Sequence, residues 1–576
     1  MKYTIEEKID SYVISEDSNF DNLLLVLNKK LSSNYGSGFA LVTDSKGILT
    51  GVVEDSDLRK FLSKNSPLEL QIKFVMRKDF ISVTEGLTED QIVNSVVEQM
   101  GQRGWYTTLP VKVIPITKNG KPVGIMDLKE LELMISQKTD RNIVVGLGYV
   151  GLTLAVSLAE TGRKVYGIDN NALKISDLAK GKSYILEPGI EKILNSRMNK
   201  NLFVSQHFID ISDLPGLRNI YFICVGTPLN SNGAADLSAV MKCIKDLTKS
   251  LKTGDTIVMR STVPVGTGQE IIDQIQIARG WKVGTDFHYI SAPERTVEGN
   301  ALREIRELPQ VISGATEACL LLGLRIFQNL SNSVTPLDRI ESSEMVKIMG
   351  NAYRDYVFGF SNFLISLCQK YNLDLNLLID ASNRGYPRST IPVPSPGVGG
   401  PCLTKDPYFF FEDDLSFSKS PVIAARKINE IIPKQSVEFI KSKINNLKDF
   451  NCLVLGIAFK GVPETNDFRN SPSVDFIQEL KSEVKSLDYW DFVVKDVGEE
   501  INAGEYDKSN KYNFYAILNN NPKNLEFFSQ AELNNIGTQI IIYDPWRQIN
   551  PNFINLPSNI KRLNYFSLSH HVVIQN

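Results

Sequence analysis

Short apolar runs, each closed by glycine, proline or an acidic residue, recur from residue 141 and predict buried strands of a parallel sheet. Asn142-Ile143-Val144-Val145 opens the series, and Lys164-Val165-Tyr166-Gly167-Ile168 repeats it before Asp169. Between them, Leu152 to Glu160 is rich in helix formers and stops at Gly162, a C-terminal helix signal. Ile220 to Val225, Thr256 to Met259 and His288 to Ile290 read as later strands, so residues 141–333 predict a doubly wound α/β domain. The period turns helical over residues 334–447, with one long helix reaching about Tyr371. Strand and helix alternate again from Asn451 to Gly456, predicting a smaller α/β domain over residues 449–576. There Ser471-Pro472 marks a helix start and Ile540 to Pro545 a late strand. The segment 497–524, rich in Asn, Lys and Tyr, reads as an exposed, variable loop.

Residues 1–136 show a different pattern, an internal repeat. Asp44-Ser45-Lys46-Gly47-Ile48-Leu49-Thr50-Gly51 recurs as Thr117-Lys118-Asn119-Gly120-Lys121-Pro122-Val123-Gly124, and Asp57-Leu58 as Glu130-Leu131. Each copy predicts a β-hairpin closed by a Lys-Gly or Asn-Gly turn, then a helix with an acidic residue near its start. A short polar linker, Ser136 to Asp140, holds the repeat close to the first α/β domain.

At 576 residues the chain exceeds one core and calls for three to four domains. A net charge of −3 gives no case for nucleic acid or an anionic membrane surface. Four of the first eight residues are charged, without the apolar core of a leader, and the six dispersed cysteines form no Cys-x-x-Cys pair. Both features point to a reducing cytoplasm with free thiols. With four histidines and no ligand spacing, no metal site is expected.

Three motifs carry chemistry. Gly146-Leu147-Gly148-Tyr149-Val150-Gly151 lies between strand and helix, where glycines let a pyrophosphate rest on the helix N-terminus. Asp169 then stands where a carboxylate bonds an adenosine ribose and repels a 2′-phosphate, which favours NAD over NADP. Cys402 comes after Pro396-Gly397-Val398-Gly399-Gly400-Pro401, a turn that presents a thiol, and Lys405 is near enough to favour the thiolate. Lys347 and Asn351, four apart on the long helix, share a face and can hold one oxyanion together.

These motifs, in this order, resemble the UDP-glucose/GDP-mannose dehydrogenase superfamily from about Arg141 onward. Ser261-Thr262-Val263-Pro264-Val265-Gly266, Pro293-Glu294 through Glu298-Gly299, Phe459-Lys460-Gly461 and Asp467-Phe468-Arg469 extend the similarity. The resemblance implies a four-electron oxidation of a nucleotide sugar's C6 alcohol with NAD, through a thiohemiacetal and thioester at Cys402. It implies that Lys347 and Asn351 stabilise the oxyanion, that Asp406 and Thr262 organise proton transfer and water, and that Glu294 assists hydrolysis. Thr227 joins the cofactor site; Gly399, Arg388, Lys460 and Arg469 would meet substrate or phosphates, Arg388 donated by a neighbouring subunit of a homo-oligomer. Tyr386-Pro387-Arg388 and the lead-in to Cys402 are closer to the N-acetylhexosamine branch, with UDP-N-acetylmannosamine or UDP-N-acetylglucosamine as substrate for surface polysaccharide. UDP-glucose and GDP-mannose oxidation stay open. So do a two-electron hydroxyacid dehydrogenase, which needs no thiol, and a non-catalytic nucleotide sensor. The repeat resembles a tandem CBS (Bateman) pair, in which Asp57 would hold the ribose of an adenine nucleotide. Glu54 and Asp127 replace that family's usual hydroxyl residue, so a purely structural role for the pair stays open.

Overall fold

The computed structural model describes residues 9–28, 38–63, 71–103, 113–127, 131, 140–207, 218–410, 419–495, 497, 501, 503–528, 537–551, 554 and 558–575. The first repeat copy contributes strands β1 (Val13–Ser15), β2 (Phe39–Thr43) and β3 (Leu49–Glu54); the second contributes β4 (Val83–Thr84), β5 (Val113–Lys118) and β6 (Lys121–Asp127). Both copies pair their first two strands in parallel and the next two as a hairpin with an irregularity at matching places, Val42/Thr43 and Ile116/Thr117. The turns differ. Asn119-Gly120 takes positive φ at both residues, as a two-residue turn demands. The first copy instead uses a longer loop, in which Asp44 Oδ1 accepts from the N–H of Lys46 and Ile48. Tyr12, Phe39, Leu41 and Val52 share one apolar cluster with Val113 and Ile125, so the copies bury a common face. Glu130, the side chain of Asp127 and linker residues 136–139 lie outside the described residues.

The next eight strands form one sheet: β7 (Asp140–Val145), β8 (Lys164–Ile168), β9 (Leu202–Ser205), β10 (Arg218–Ile223), β11 (Thr256–Met259), β12 (His288–Ser291), β13 (Gln310–Gly314) and β14 (Val334–Leu337). Their order is β14-β13-β12-β11-β10-β7-β8-β9, parallel except between β12 and β13. Alternate residues serve opposite faces: Val144 and Phe222 pack in one cluster, Ile143, Tyr221 and Ile223 in the other. Residues 334–337 were expected to open the helical region. They pair with β13 instead and belong to this sheet.

A 32-residue helix, Ile340–Tyr371, then packs along the 23-residue helix Pro421–Lys443. At Gly359 they are in close contact, since a Cβ there would lie 2.6 Å from that of Ala425. The last sheet contains β15 (Asn451–Leu455), β16 (Ser486–Trp490), β17 (Gly504–Glu505), β18 (Phe514–Ile517), β19 (Gln539–Tyr543), β20 (Arg562–Phe566) and β21 (His571–Gln575), in the order β17-β16-β15-β18-β19-β20-β21. The loop expected over 497–524 is therefore corrected in part. Its Phe514-Tyr515-Ala516-Ile517 run is wholly buried as a central strand, while residues 498–500 and 502 lie outside the described ones. Among the described residues no helix is long and apolar enough to cross a membrane.

Candidate active site

The C-terminal ends of six parallel strands, β7 to β12, open on one cavity of about 1310 Å³, larger than a single drug-sized ligand requires. After β7, Gly146 takes φ +87°, and a Cβ on Gly151 would fall 1.8 Å from the Gly146 carbonyl oxygen, so neither admits a side chain. Gly148 differs: a Cβ there meets nothing within 4 Å and would project into open space at the start of helix Tyr149–Glu160. That free space beside a helix N-terminus suits a pyrophosphate. Gly146, Gly148, Tyr149 and Val150 line the cavity, with Gly151 packed behind them. Tyr149 turns its hydroxyl to Glu187 and receives the Gly299 N–H, so the ring lies at the wall with its polar end engaged.

Asp169, after β8, accepts from the Leu147 N–H at 2.9 Å and the Asn171 N–H at 2.9 Å, with Lys174 Nζ 4.0 Å away. The carboxylate thereby fixes the glycine turn while facing the cavity. The last domain repeats this device, Asp491 after β16 accepting from the N–H of Ile457 and Ala458 behind Gly456. Thr227, after β10, donates its hydroxyl to the Thr262 carbonyl at 2.7 Å, which ties the loop after β10 to the loop after β11.

Cys402, Lys347, Thr262 and Glu294 meet in the same cavity. Cys402 is exposed to it. Loss of water around the thiol raises its pKa above the usual value; Lys347 is the strongest charge acting the other way, ahead of Lys405, while Asp406 adds to the rise. Lys405 therefore acts in the expected direction, with a smaller effect than Lys347. Its ammonium bonds Asp406 Oδ1 at 2.7 Å and Thr227 Oγ1 at 3.3 Å. Asp406 is fully buried, and its other oxygen accepts from Asn351 Nδ2 at 2.6 Å. Asn351 and Asp406 thus form a second row behind Lys347 and Cys402.

Burial works to raise the Glu294 pKa, but the Arg260 guanidinium, the N–H groups of Thr296 and Arg295, and Lys347 together bring it below the ordinary value. Glu298, half-buried on the same wall, behaves oppositely. Burial and the neighbouring Asp467 push it up to about 7, against the Thr465 hydroxyl, Lys460 and Arg469. Nothing in the sequence singles out Glu298 for a role of its own, because its main charged neighbour lies in another domain.

Lys460 reaches the Glu298 carbonyl at 2.7 Å, and Arg469, at the cavity wall, pairs with Asp467. Gly399 is packed against the last domain, where a Cβ would lie 2.3 Å from the Asn470 carbonyl oxygen, and is not among the residues lining the cavity. Arg388 is exposed over the Tyr386 ring and is not among the residues lining its own chain's cavity. Asp57 belongs to the N-terminal repeat and is not among those lining residues either. Its Oδ2 accepts from Arg77 Nε at 2.9 Å and the Glu54 N–H at 2.9 Å, so an arginine already occupies the carboxylate expected to hold a ribose. Among the described residues no group of His, Cys, Asp and Glu is arranged to hold a metal ion.

Residues 141–331 match the NAD binding domain of the UDP-glucose/GDP-mannose dehydrogenase family, residues 341–430 its central domain and residues 453–523 its UDP binding domain. A UDP-N-acetyl-D-mannosamine dehydrogenase from Pyrococcus horikoshii is 31% identical over 363 residues, 62% of this chain and 84% of that protein. An NDP-N-acetyl-D-galactosaminuronic acid dehydrogenase from Ralstonia nicotianae is 30% identical over 58% of this chain and 79% of its own length. Among solved structures, a UDP-N-acetyl-mannosamine dehydrogenase from S. aureus superposes with a TM-score of 0.64 at 28% identity, covering 75% of this chain and 99% of that one.

Proposed function

Because the chain belongs to the UDP-glucose/GDP-mannose dehydrogenase family and is an NAD-dependent nucleotide-sugar dehydrogenase, we propose that it oxidises the C6 alcohol of UDP-N-acetylmannosamine to the carboxylate. One alcohol, two NAD and one water give one carboxylate, two NADH and three protons. NAD, when bound, accepts hydride from C6 in each oxidation. Gly148 with the helix N-terminus would hold its pyrophosphate, and Asp169 its ribose.

The observation that carries this reading is the thiol of Cys402 sharing a cavity with Lys347, backed by Asn351, Asp406 and Lys405. Lys347 stabilises the C6 alkoxide and the Cys402 thiolate by charge, and the protons of the alcohol and the thiol pass to water. The thiolate adds to the C6 aldehyde, forming a carbon–sulfur bond and a hemithioacetal oxygen; hydride loss from C6 then leaves a thioester. Water attacks the thioester, the carbon–sulfur bond breaks, and the thiol is regenerated. Thr262 orders that water with Glu294, which stays charged, while Glu298, poised near neutrality, takes up the proton. Asn351 acts through Asp406 rather than on the oxyanion. Arg388 reaches the site of a second copy. Support for that copy is an exposed seam on the long helix, Met349, Tyr353, Tyr356, Phe360, Phe363 and Leu367, at alternating spacings of four and three.

The N-acetylmannosamine nucleotide is favoured by the P. horikoshii and S. aureus relatives, and the R. nicotianae relative adds an N-acetylgalactosamine nucleotide to the comparison. NADH formation with UDP-N-acetylmannosamine, UDP-N-acetylglucosamine, UDP-N-acetylgalactosamine, UDP-glucose and GDP-mannose tests the choice. Two NADH per sugar with the first, and none from Cys402→Ala beyond the aldehyde stage, are expected. One NADH per sugar, or normal uronate from Cys402→Ala, overturns the reading.

A further inference from the structure

The loop that carries Cys402 contains three glycines, at 397, 399 and 400, two of them at positive φ (+126° at Gly397 and +90° at Gly400). Such a segment has many conformations to lose on folding. Pro396, Pro401 and the Thr404 hydroxyl, which donates to the Gly400 carbonyl at 2.8 Å, restrict single positions from within. A further restraint comes from outside. Arg426, on helix Pro421–Lys443, is 1% exposed and spans the loop with its guanidinium: Nη2 donates to the Val398 carbonyl at 2.8 Å and Nη1 to the Leu403 carbonyl at 3.3 Å. These two carbonyls bracket Gly399, Gly400, Pro401 and Cys402.

The fork is itself held. Nη1 also bonds Asp355 Oδ1 at 2.8 Å, and Nε lies 3.2 Å from Glu430. Asp355 is fully buried on the long helix, where Asn429 Nδ2 bonds both its Oδ1 and its backbone carbonyl. Asn429 in turn accepts from Asn362, whose own Oδ1 takes the Ser395 N–H at 2.9 Å, and Ser395 Oγ donates to the Gly397 carbonyl. The network stands where Gly359 and Ala425 bring the two helices into backbone contact, so its base is rigid. A buried charge pair is seldom a net gain in stability over apolar packing, and its geometry is what it contributes.

We propose that Arg426, oriented by Asp355, is a positioning residue that sets the Cys402 thiol by fixing the carbonyls on either side of it. The proposal rests on the reading that Cys402 carries the second oxidation, because only then does thiol placement decide a step. Displacement of a reacting atom by about 1 Å can cost on the order of a hundredfold in rate. Alcohol oxidation precedes thiol addition and needs no such placement.

Arg426→Lys keeps the charge but places every donor on one nitrogen, where arginine uses Nη1 for Asp355 and Leu403 and Nη2 for Val398. Single-turnover NADH formation with UDP-N-acetylmannosamine reads the two oxidations separately, and alkylation of Cys402 by iodoacetamide, with detection by mass spectrometry, reads the thiol without substrate. The expected result for Arg426→Lys is a first NADH at close to the wild-type rate, a second slowed about tenfold or more, and an unchanged KM. Alkylation should become faster, since a released loop exposes the thiol to more water. Wild-type rates in both readouts overturn the proposal. A raised KM with the ratio of the two steps preserved also overturns it, by making Arg426 a substrate contact. If Arg426→Lys lacks a melting transition, the near-isosteric Asp355→Asn must show the same selective loss of the second step, and a wild-type second step there overturns the proposal. Uronate formation by Cys402→Ala would instead sink the thiol reading itself, and that arm is independent of Arg426.

Discussion

Glu294 and Glu298 face one cavity four residues apart, and the fold shifts their proton affinities in opposite directions. Glu294 is fixed as a carboxylate by Arg260 and two N–H groups. Glu298, pushed up to about 7, favours its proton in the folded protein more than in the unfolded chain. For a carboxyl raised in this way, the stability it contributes is complete below about pH 4.5 and is lost as pH rises through 7. Glu298→Gln cannot titrate. Its Tm relative to wild type should therefore climb by roughly a few degrees between pH 5 and pH 8, and a constant difference across that range contradicts the assignment. Asp169→Ala should weaken NAD binding by roughly 1.5–3 kcal/mol and narrow the preference over NADP; equal use of NADP by the parent enzyme would refute the role given to Asp169. At this scale the legible residues were those whose neighbours in sequence are also their neighbours in space, as with Cys402 in its glycine turn. Glu298 and Arg426 were illegible, because Asp467 and Asp355, which define them, lie far away along the chain.

The glycine turn after β7 shows how one motif divides its labour. Gly151→Ala places a methyl 1.8 Å from the Gly146 carbonyl oxygen, so it should lower Tm and lose NAD binding together. Gly148→Ala meets no protein atom and should leave Tm near wild type while weakening NAD binding, as calorimetry would show. Loss of stability in both variants, or in neither, would mean that the two positions do the same work. The exposed seam of the long helix gives a third expectation. Tyr353, at 66% exposed, and Phe360, at 48%, belong to a contiguous apolar strip, the kind of surface that marks an interaction site. Tyr353→Glu with Phe360→Glu should shift the protein to monomer in sedimentation velocity. An unchanged mass would place the seam against something other than a second copy. Among elements, the strands of the first α/β domain were legible from their apolar runs and closing glycines. β18 was not, since its four residues stand amid Asn and Lys that ordinarily mark loops, and β14 was hidden by the exposed Thr335 and Pro336.

Across the described residues, the apolar clusters of the N-terminal repeat are drawn from residues 9–131, and those of the dehydrogenase from residues 143–574. Deleting residues 1–136 should then leave an active enzyme with an unaltered NADH ratio. Titration of the intact protein with AMP, ADP, ATP and UDP-sugars decides whether the repeat is a sensor. The Arg77–Asp57 pair would have to open for a ribose to enter, so Arg77→Ala should raise affinity for an adenine nucleotide if one binds there. The repeat itself was legible from its matched glycines, whereas that arginine, lying between the two copies' signatures, was not. The long helix has a last consequence. Glu344 receives the N–H of Gly266 and Gly268, Asn351 holds Asp406, Asp355 holds Arg426 and Asn362 holds Ser395, all from one side, while the aromatic seam runs down the other. Each residue turns an α-helix by about 100°. A single residue added between Glu344 and Asn362 would swing every later contact away from its partner and bring seam positions inward. Over these five turns, spacing is under tighter constraint than residue identity: substitutions act locally, and an insertion of one dephases the entire site.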